Sequence, residues 1–326
     1  MIRIGKISYW HVHAEEYTQA ILNHPDSELA AIWDEDAERG KRMAEKYGAP
    51  FVSSLEELLG RDDIDAVVID APTTKHRDIM VQAARAGKHI FTEKVIAPTL
   101  REVNEVRSEV EKAGVRMAVS LPRLYDAYTV AIRGVLESGR LGTLTQARVR
   151  LSHNGATANW LPAHFYNKSE TAGGAMIDLG CHPMYLVRLF LGQPEQVSAQ
   201  YGYVTGKEVE DNAIVLLGCA NGAIGVVEAG FVNDRSPFSI ELHGTKGTLL
   251  YGLPENKLLV SNQEGWEEVP VGDREPMAFQ QWIAHIQHGT EAEENLTFAR
   301  DLTALMEAAN RSAQSGRSVR LDELEQ

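Results

Sequence analysis

Short apolar runs alternate with amphipathic helical patterns over the first 120 residues, and this alternation restricts the possible folds more than any other feature of the sequence. The apolar runs predict strands at residues 2–8, 28–33, 66–69, 89–92 and 115–120. The periodic segments predict helices at 13–23, 38–47, 54–60, 76–86 and 99–113. Because parallel strands need a crossover connection, usually a helix, the alternation predicts an α/β fold with a doubly wound parallel sheet.

The pattern changes after about residue 121, where longer strands replace the alternation. Strands are predicted at 145–152, 196–204, 213–219, 223–231, 239–243 and 248–251, and helices at 125–138 and 299–315. Asn221-Gly222 lies between two apolar strands and indicates a tight hairpin. We therefore predict a first domain at 1–120 and a second, α+β domain at 121–326 with a mostly antiparallel open sheet.

The charge of the chain limits its partners. The 326 residues carry a formal net charge of −14, and Lys and Arg are scattered among Asp and Glu. Such a chain repels nucleic acids and anionic membranes unless a basic patch overrides the whole, and no run approaches the roughly 20 apolar residues that span a bilayer. The N-terminus reads as a strand rather than a signal peptide, and Cys181 and Cys219 are too few for a disulfide framework. We expect a cytoplasmic protein that acts on a small molecule.

The loop after the first strand is the expected ligand site, because open α/β sheets bind ligands at the carboxyl ends of their strands. It contains no G-x-G-x-x-G, and Trp10 cannot give phosphates the close backbone approach that glycine allows. The loop alone leaves nucleotide binding and a plain turn equally open. Asp34 ends the second strand. A carboxylate at this position accepts hydrogen bonds from the ribose hydroxyls of NAD and disfavours the extra phosphate of NADP, so NAD is the expected cofactor. Asp34 could instead cap the helix that begins near Asp36.

Four segments, at residues 65–76, 86–95, 173–182 and 242–248, carry a family resemblance. The second reads A-G-K-H-I-F-T-E-K-V and the third G-G-A-M-I-D-L-G-C-H. Together they resemble the Gfo/Idh/MocA oxidoreductases, over nearly the whole chain and in order. The resemblance implies a dinucleotide-binding Rossmann domain at 1–120 and a substrate-binding and oligomerisation domain at 121–326. It implies an NAD(P)-dependent oxidoreductase acting on a CH–OH group of a sugar, inositol or related polyol, and a homodimer or homotetramer.

The chain departs from the family pattern at two places. Val95 stands where the family has proline, and Ser8 and Trp10 stand where glycines are usual. The H-x-H-A run from His11 to Ala14 fits one branch of the family. The resemblance implies that the cofactor is bound by Ser8, Tyr9, Trp10, His11, Val12, Asp34, Ala71, Pro72, Thr73, Thr74, His76, Glu93, Lys94 and Arg123.

Three residues carry the predicted chemistry, Lys94, Asp178 and His182. Asp178 and His182 are four residues apart, so on a helix they lie about 40° apart on one face, where the carboxylate can orient the imidazole. Pro183 fits only if the helix starts just upstream, and the helix dipole would then favour the neutral imidazole. The resemblance implies that Lys94 contacts the reacting oxygen at the nicotinamide. Without the family resemblance, Lys94 would be interpreted as a solvated surface lysine and His182 as a hydrogen-bonded core histidine.

The predicted substrate residues combine polar and aromatic side chains that suit a sugar. They are Lys94, Arg123, His153, Asn154, Trp160, Asp178 and His182. Arg123 could equally form a structural salt bridge, and the segment from His153 to Tyr166 could equally be a subunit-interface loop.

His11 and His13, with Cys181 and His182, also raise the possibility of zinc, because an H-x-H pair on an extended segment points to one side. Without a C-x-x-C or H-E-x-x-H motif, we expect no metal. Two alternatives to a dehydrogenase stay open. One is a glycoside-cleaving enzyme that recycles NAD, and the other is a non-catalytic ligand sensor that has lost turnover.

Overall fold

The computed structural model describes residues 1–236, 238–252, 255–263 and 265–324. The described helices are α1 Ala14–Asn23, α2 Ala37–Tyr47, α3 Leu55–Leu59, α4 His76–Arg85, α5 Leu100–Ala113, α6 Ala127–Glu137, α7 Lys168–Thr171, α8 Cys181–Leu191, α9 Ala278–His288 and α10 Glu293–Ser315. The described strands are β1 Ile2–Ile7, β2 Ser27–Trp33, β3 Ala66–Ile69, β4 His89–Thr92, β5 Met117–Val119, β6 Leu144–Ser152, β7 Pro194–Gly202, β8 Asn212–Cys219, β9 Ile224–Gly230, β10 Ser239–Gly244, β11 Thr248–Tyr251, β12 Leu258–Asn262, β13 Gly265–Val269 and β14 Val319–Arg320. Within the described residues, no helix is long and apolar enough to cross a membrane.

The chain forms two compact units. The first comprises Met1–Ser120 and Pro276–Arg300, and the second comprises Leu121–Glu275 and Asp301–Gln326. The first unit contains a five-stranded parallel sheet of order β2-β1-β3-β4-β5. All four residues of β3 are buried, as expected of a strand covered on both faces. The predicted doubly wound parallel sheet is confirmed.

The helix ends of the first unit follow from local sequence. Asp36 caps α2 through the amides of Glu38 and Arg39, and Gly48 ends it with a left-handed φ of 67°. Ser54 caps α3, because its side chain accepts a hydrogen bond from the Glu57 amide. These caps satisfy backbone groups that the helices themselves leave unpaired.

The second unit contains a nine-stranded sheet of order β13-β12-β11-β10-β6-β9-β8-β7-β14. Its strand pairs are antiparallel except for the parallel pair β6 and β9, and α8 packs against those two strands. The predicted hairpin joins β8 to β9, where Gly222 has a φ of 83° and Asn221 Oδ1 accepts the Ala223 amide at 3.0 Å. The predicted mostly antiparallel sheet is confirmed.

The segment at 276–300 differs from the expected division, which placed it in the second domain. Phe279 and Trp282 on α9 pack against Phe91 on β4, with ring centroids 5.6 and 5.7 Å away. Asn295 pairs with both backbone groups of Val119 on β5, at 2.8 and 2.9 Å. These contacts give the first unit a helical layer that comes from late in the chain.

Candidate active site

The loop after β1 keeps a glycine-like backbone without glycine. Ser8 has a φ of 68°, in the left-handed region that side chains rarely adopt. Its amide donates to Trp33 O at 2.8 Å, and its hydroxyl donates to Glu35 at 3.0 Å while accepting the Trp10 amide at 3.1 Å. These bonds hold Ser8 in the left-handed conformation, at a position where the family that the sequence resembles usually has glycine.

The large side chains of this loop point inward. Tyr9 is 8% and Trp10 is 6% exposed, and Tyr9 bonds to Thr18 at 2.9 Å and stacks on Tyr47. Val12, by contrast, is half exposed. The expected cofactor role of Tyr9 and Trp10 is thereby limited to their backbone, because their rings form the core.

A buried ion pair between Lys6 and Asp70 supports the loop after β1, and no sequence motif indicated it. The Lys6 ammonium donates to Ser8 O at 3.1 Å and to the Asp70 carboxylate, and both side chains are fully buried. Burial raises the pKa of Asp70 to about 6, against the attraction of Lys6. Asp70 also accepts the His11 amide through its backbone oxygen at 3.1 Å. The unusual lysine inside an apolar strand was the available sequence signal.

Asp34, the predicted ribose-binding residue, is 3% exposed at the end of β2. Its Oδ1 accepts from the Asp36 amide at 2.8 Å and from Arg39 Nη2 at 2.7 Å, and its Oδ2 accepts from the Tyr9 amide at 2.8 Å and from Arg39 Nε at 2.9 Å. A carboxylate has about four acceptor positions, so all are filled. Asp36, not Asp34, caps the following helix. Asp34 therefore needs Arg39 to move before it can accept a ribose hydroxyl.

The segment after β3 forms a turn at the same sheet edge. Ala71 and Pro72 are buried, and Thr73 and Thr74, which begin a short 3-10 turn, are partly exposed. His76 places its two ring nitrogens 2.9 Å from Ala71 O and 2.8 Å from Val95 O. Both nitrogens contact the chain itself, so His76 supports this turn rather than offering the expected hydrogen bond to a cofactor.

Glu93 and Lys94 follow β4. Glu93 is 1% exposed, and its Oε2 accepts the Lys94 amide at 3.0 Å while its Oε1 accepts the Tyr17 hydroxyl at 2.8 Å. Burial alone would raise the pKa of Glu93, but His11, His13 and the Lys94 ammonium hold that pKa well below its usual range. The peptide bond between Lys94 and Val95 is cis, at the position where the family has proline. Lys94 is 5% exposed.

His182 lies in the first turn of α8, in the second unit. Its Nδ1 lies 3.0 Å from the hydroxyl of Tyr185, which also accepts the Arg123 amide at 3.0 Å. Burial raises the pKa of Tyr185 well above 10, so it stays a neutral hydroxyl. Arg123 donates to Tyr128 at 3.1 Å and lies over the Phe238 ring. Arg123 forms no ion pair with another described residue. Tyr185 is a partner of His182 that no sequence motif indicated.

Asp178 lies in a π-helical turn, Met176–Gly180, which leads directly into α8. The four-residue spacing to His182 therefore does not follow simple α-helical geometry. Pro183 lies in the first turn of α8, where a missing N–H is tolerated. The turn is anchored by Glu210, whose Oε1 accepts the amides of Gly174 and Met176 at 2.9 and 3.0 Å.

The predicted sugar-binding segment forms one cluster in the second unit. His153 stacks on Phe231 and lies beside Trp160, with ring centroids 5.1 and 4.5 Å away. Asn154 accepts from Trp160 Nε1 and donates to Asp234, each at 3.0 Å. Burial lowers the pKa of His153, and the charge of Asp178 acts in the opposite direction. Asp178 and His153 are therefore close enough to interact electrostatically.

The first unit is an open parallel sheet with a loop at the carboxyl end of β1, where such sheets bind dinucleotides, and an α+β unit follows it. This is the architecture of a dinucleotide-dependent oxidoreductase. The chain belongs to the Gfo/Idh/MocA family. Residues 4–121 match the family model described as "Oxidoreductase family, NAD-binding Rossmann fold", and residues 129–250 match the "GFO/IDH/MocA C-terminal domain". The predicted family and the predicted NAD(P)-dependent oxidoreductase class are confirmed.

Known relatives cover most of the chain. A 1,5-anhydro-D-fructose reductase from Ensifer adhaerens is 29% identical over 79% of this chain and 80% of its own length. An inositol 2-dehydrogenase from Rhizobium meliloti is 28% identical over 97% of this chain and 96% of its own. An Agrobacterium radiobacter oxidoreductase, solved with NAD+, L-tartaric acid and magnesium, superposes with a TM-score of 0.86 at 23% identity, covering 98% of each chain. The last comparison concerns the fold alone.

Proposed function

We propose that the protein oxidises or reduces a CH–OH carbon of a sugar, inositol or related polyol, with NAD as the cofactor. Relatives at 28 and 29% identity act on an inositol and on a sugar derivative, which supports this substrate class. The observation that carries the proposal is the chain of contacts from Arg123 through Tyr185 to His182, because it fixes one nitrogen of the His182 imidazole.

The first unit fits a dinucleotide. Ser8 supplies the left-handed backbone of a phosphate loop, and this loop leads into the N-terminus of α1, where anions are favoured. The proposed cofactor contacts come from the loop at Ser8 to Val12, from Asp34 and from the turn at Ala71 to Thr74. Bound NAD would supply the hydride acceptor. The preference for NAD rests on the two carboxylates, Asp34 and Glu35, that outnumber the single cation Arg39.

His182 is the proposed base. It can take the hydroxyl proton of the substrate at Nε2 when Nδ1–H is donated to Tyr185, since an imidazole tautomer is set by the bond of its other nitrogen. Asp178 is proposed to stabilise the resulting imidazolium. We also propose that His153, Asn154, Trp160 and Arg123 bind the substrate, with the exposed ring of Trp160 covering a sugar face.

Lys94 is proposed to bind the reacting oxygen. Its ammonium lies close enough to Glu93 to lower the pKa of that carboxyl, so the two residues carry opposite charges. A cation at the reacting oxygen stabilises the alkoxide that develops as the proton leaves.

The test is a panel of sugars and inositols assayed with NAD+ for NADH formation. We expect turnover on at least one member, and we expect His182→Ala and Lys94→Ala each to lower kcat by roughly 10²–10⁴-fold, the range typical of lost acid–base groups. Tyr185→Phe should lower kcat less and shift its pH profile. The exposed His288 provides the control, since His288→Gln should be unchanged.

Two outcomes would contradict this proposal. One is a His182→Ala variant with full turnover. The other is consumption of a glycoside without accumulation of NADH, which would indicate recycled NAD and an elimination reaction instead.

A further inference from the structure

Two histidines and a glutamate from distant parts of the chain meet in the first unit. His11 and His13 lie between β1 and α1, and Glu93 directly follows β4. Their candidate donor atoms all lie within 4.8 Å of one another. Glu93 is 80 positions from His13 in sequence, which is why the H-x-H pair alone did not reveal a third donor. Cys181 and His182, with which the sequence paired these histidines, lie in the second unit.

The donor spacing matches that of a tetrahedral metal site. Zinc binds imidazole nitrogen and carboxylate oxygen at roughly 2.0–2.2 Å, so two ligand atoms of a tetrahedral site lie roughly 3.4 Å apart. Glu93 Oε1 lies 3.0 Å from His13 Nδ1 and 3.8 Å from His11 Nδ1. The two observed separations bracket the tetrahedral one.

The carboxylate is held in place for such a role. Its Oε1 accepts the Tyr17 hydroxyl at 2.8 Å, and its Oε2 accepts the Lys94 amide at 3.0 Å. Hydrogen bonds of this kind orient ligand groups in metal sites. Glu93 is 1% exposed and His11 8%, so two of the three donors are already shielded from bulk water. His11 Nδ1 accepts the His13 amide at 3.3 Å, a long bond that a metal ion would replace.

We propose that His11, His13 and Glu93 form a binding site for a divalent transition-metal ion of the zinc class. Two imidazoles and one carboxylate suit Zn²⁺, Co²⁺ or Fe²⁺, whereas Mg²⁺ and Ca²⁺ prefer sites made of oxygen alone. Three protein ligands leave a further coordination position, which water or an oxygen of a small molecule can fill. The ion would also tie the loop after β1 to the segment after β4.

The test measures metal binding, not turnover. The full chain is stripped with EDTA, dialysed, and titrated with Co²⁺ while the visible d–d absorption is followed, and Zn²⁺ retained after dialysis is measured by elemental analysis. We expect one equivalent of either metal per chain. We also expect Zn²⁺ to raise the melting temperature, because an ion that binds only the folded state stabilises it.

Four variants localise the site. His11→Gln, His13→Gln and Glu93→Gln should each weaken Co²⁺ binding by more than the roughly 10–100-fold that loss of an outer hydrogen-bond partner causes. His288→Gln removes an exposed histidine of the same unit and should bind Co²⁺ like the unmodified chain. Circular dichroism of each variant verifies its folding, and the partly exposed His13 gives the variant with the smallest risk of unfolding.

The competing explanation is a set of imidazolium–carboxylate contacts that need no metal. It predicts that the unmodified chain neither develops the Co²⁺ absorption nor retains Zn²⁺, and this measurement alone would overturn the proposal even if Glu93→Gln did not fold. Equal Co²⁺ affinity in the unmodified chain and in a folded His13→Gln variant would overturn it as well.

Discussion

We propose that three residues of the first unit, Asp34, Glu35 and Arg39, determine its preference between NAD and NADP. Asp34 binds Arg39 through both carboxylate oxygens, and Arg39 also binds Glu35 at 2.7 Å. The guanidinium is thus shared by two carboxylates, and the group as a whole keeps a negative charge. An extra phosphate on the ribose would be repelled by that charge, whereas an uncommitted arginine would attract it.

Substitutions of Asp34 and Arg39 should change cofactor preference in opposite directions. Asp34→Ser removes one carboxylate and leaves Arg39 paired with Glu35 alone, so the ratio of kcat/KM for NAD to that for NADP should fall by about tenfold, equivalent to ~1.4 kcal/mol. Arg39→Ala leaves both carboxylates without their cation, so the same ratio should rise. The measurement is steady-state kinetics with both cofactors on one substrate. A better kcat/KM with NADP in the unmodified protein would contradict the assignment.

At the scale of secondary structure, the sequence predicted elements that depend on neighbouring residues, and it did not predict features that depend on contacts between distant parts of the chain. The strands of the first sheet and caps such as Ser54 and Gly48 follow from apolar runs and from turn residues. The π-helical turn at Asp178 depends on Glu210, 34 positions from Met176, so no local pattern predicts it. The helix expected at 125–138 begins instead at Ala127, after a 3-10 turn at Pro122–Leu124.

The same limit applies to the candidate site. Lys94, Asp178 and His182 were predicted because they stand in recognisable motifs, and their roles stay predictions. Tyr185 was missed, since a tyrosine on a buried helix reads as core, and only the structure places its hydroxyl 3.0 Å from His182. Glu93 was found as a motif residue, but its contact with His13 required the fold, because β1 and β4 are brought together only through β3.

The Glu210 anchor predicts a pH-dependent stability difference. Burial raises the pKa of Glu210 above 4.5, although the amides of Gly174 and Met176 act in the opposite direction. A raised folded-state pKa means that the protonated form is favoured in the fold. The stability due to this group is therefore complete below pH 4.5 and is lost as the pH rises through the folded-state pKa.

Glu210→Gln should remove this dependence, because glutamine is neutral and its oxygen can still accept both amides. In urea unfolding, the stability of Glu210→Gln relative to the unmodified chain should be higher at pH 8 than at pH 4.5. Glu210→Ala serves as the control and should lose about 1–3 kcal/mol for each amide left without an acceptor. A Glu210→Gln difference that is the same at both pH values would show that the carboxyl does not titrate in this range.

At the scale of the whole molecule, the first unit is discontinuous in sequence. A division of the chain at a single boundary therefore could not assign residues 276–300 to it. Residues 276–300 contribute α9, whose Trp282 is fully buried and donates to Arg116 O at 3.3 Å. The periodicity of α9 identifies an amphipathic helix but not the sheet that it covers. The division of roles between residues 1–120 and 121–326 stays a prediction.

The outer face of the nine-stranded sheet is the surface on which we propose that copies of this chain associate. Ile214 and Leu216 on β8 are each 46% exposed, and Ile224 on β9 is 50% exposed. Strand pairing places them on one face, because Leu216 is opposite Val226 and Ile214 is opposite Glu228. Arg148 on β6 borders this patch and binds Glu228 at 2.9 Å. An apolar patch with a charged border is typical of a protein interface.

A single substitution on this face should therefore change the oligomeric state. Leu216→Glu places a charge in the patch, and a charge buried in an interface without a partner is strongly unfavourable, so we expect a dimer or tetramer in the unmodified chain and a monomer in the variant. The measurement is light scattering coupled to gel filtration at micromolar concentration. Leu22→Glu is the matched control, since Leu22 on α1 is 45% exposed but lies in the first unit, and it should leave the mass unchanged. A monomeric mass for the unmodified chain would refute association altogether, whereas an oligomer that survives Leu216→Glu would show that another surface is used.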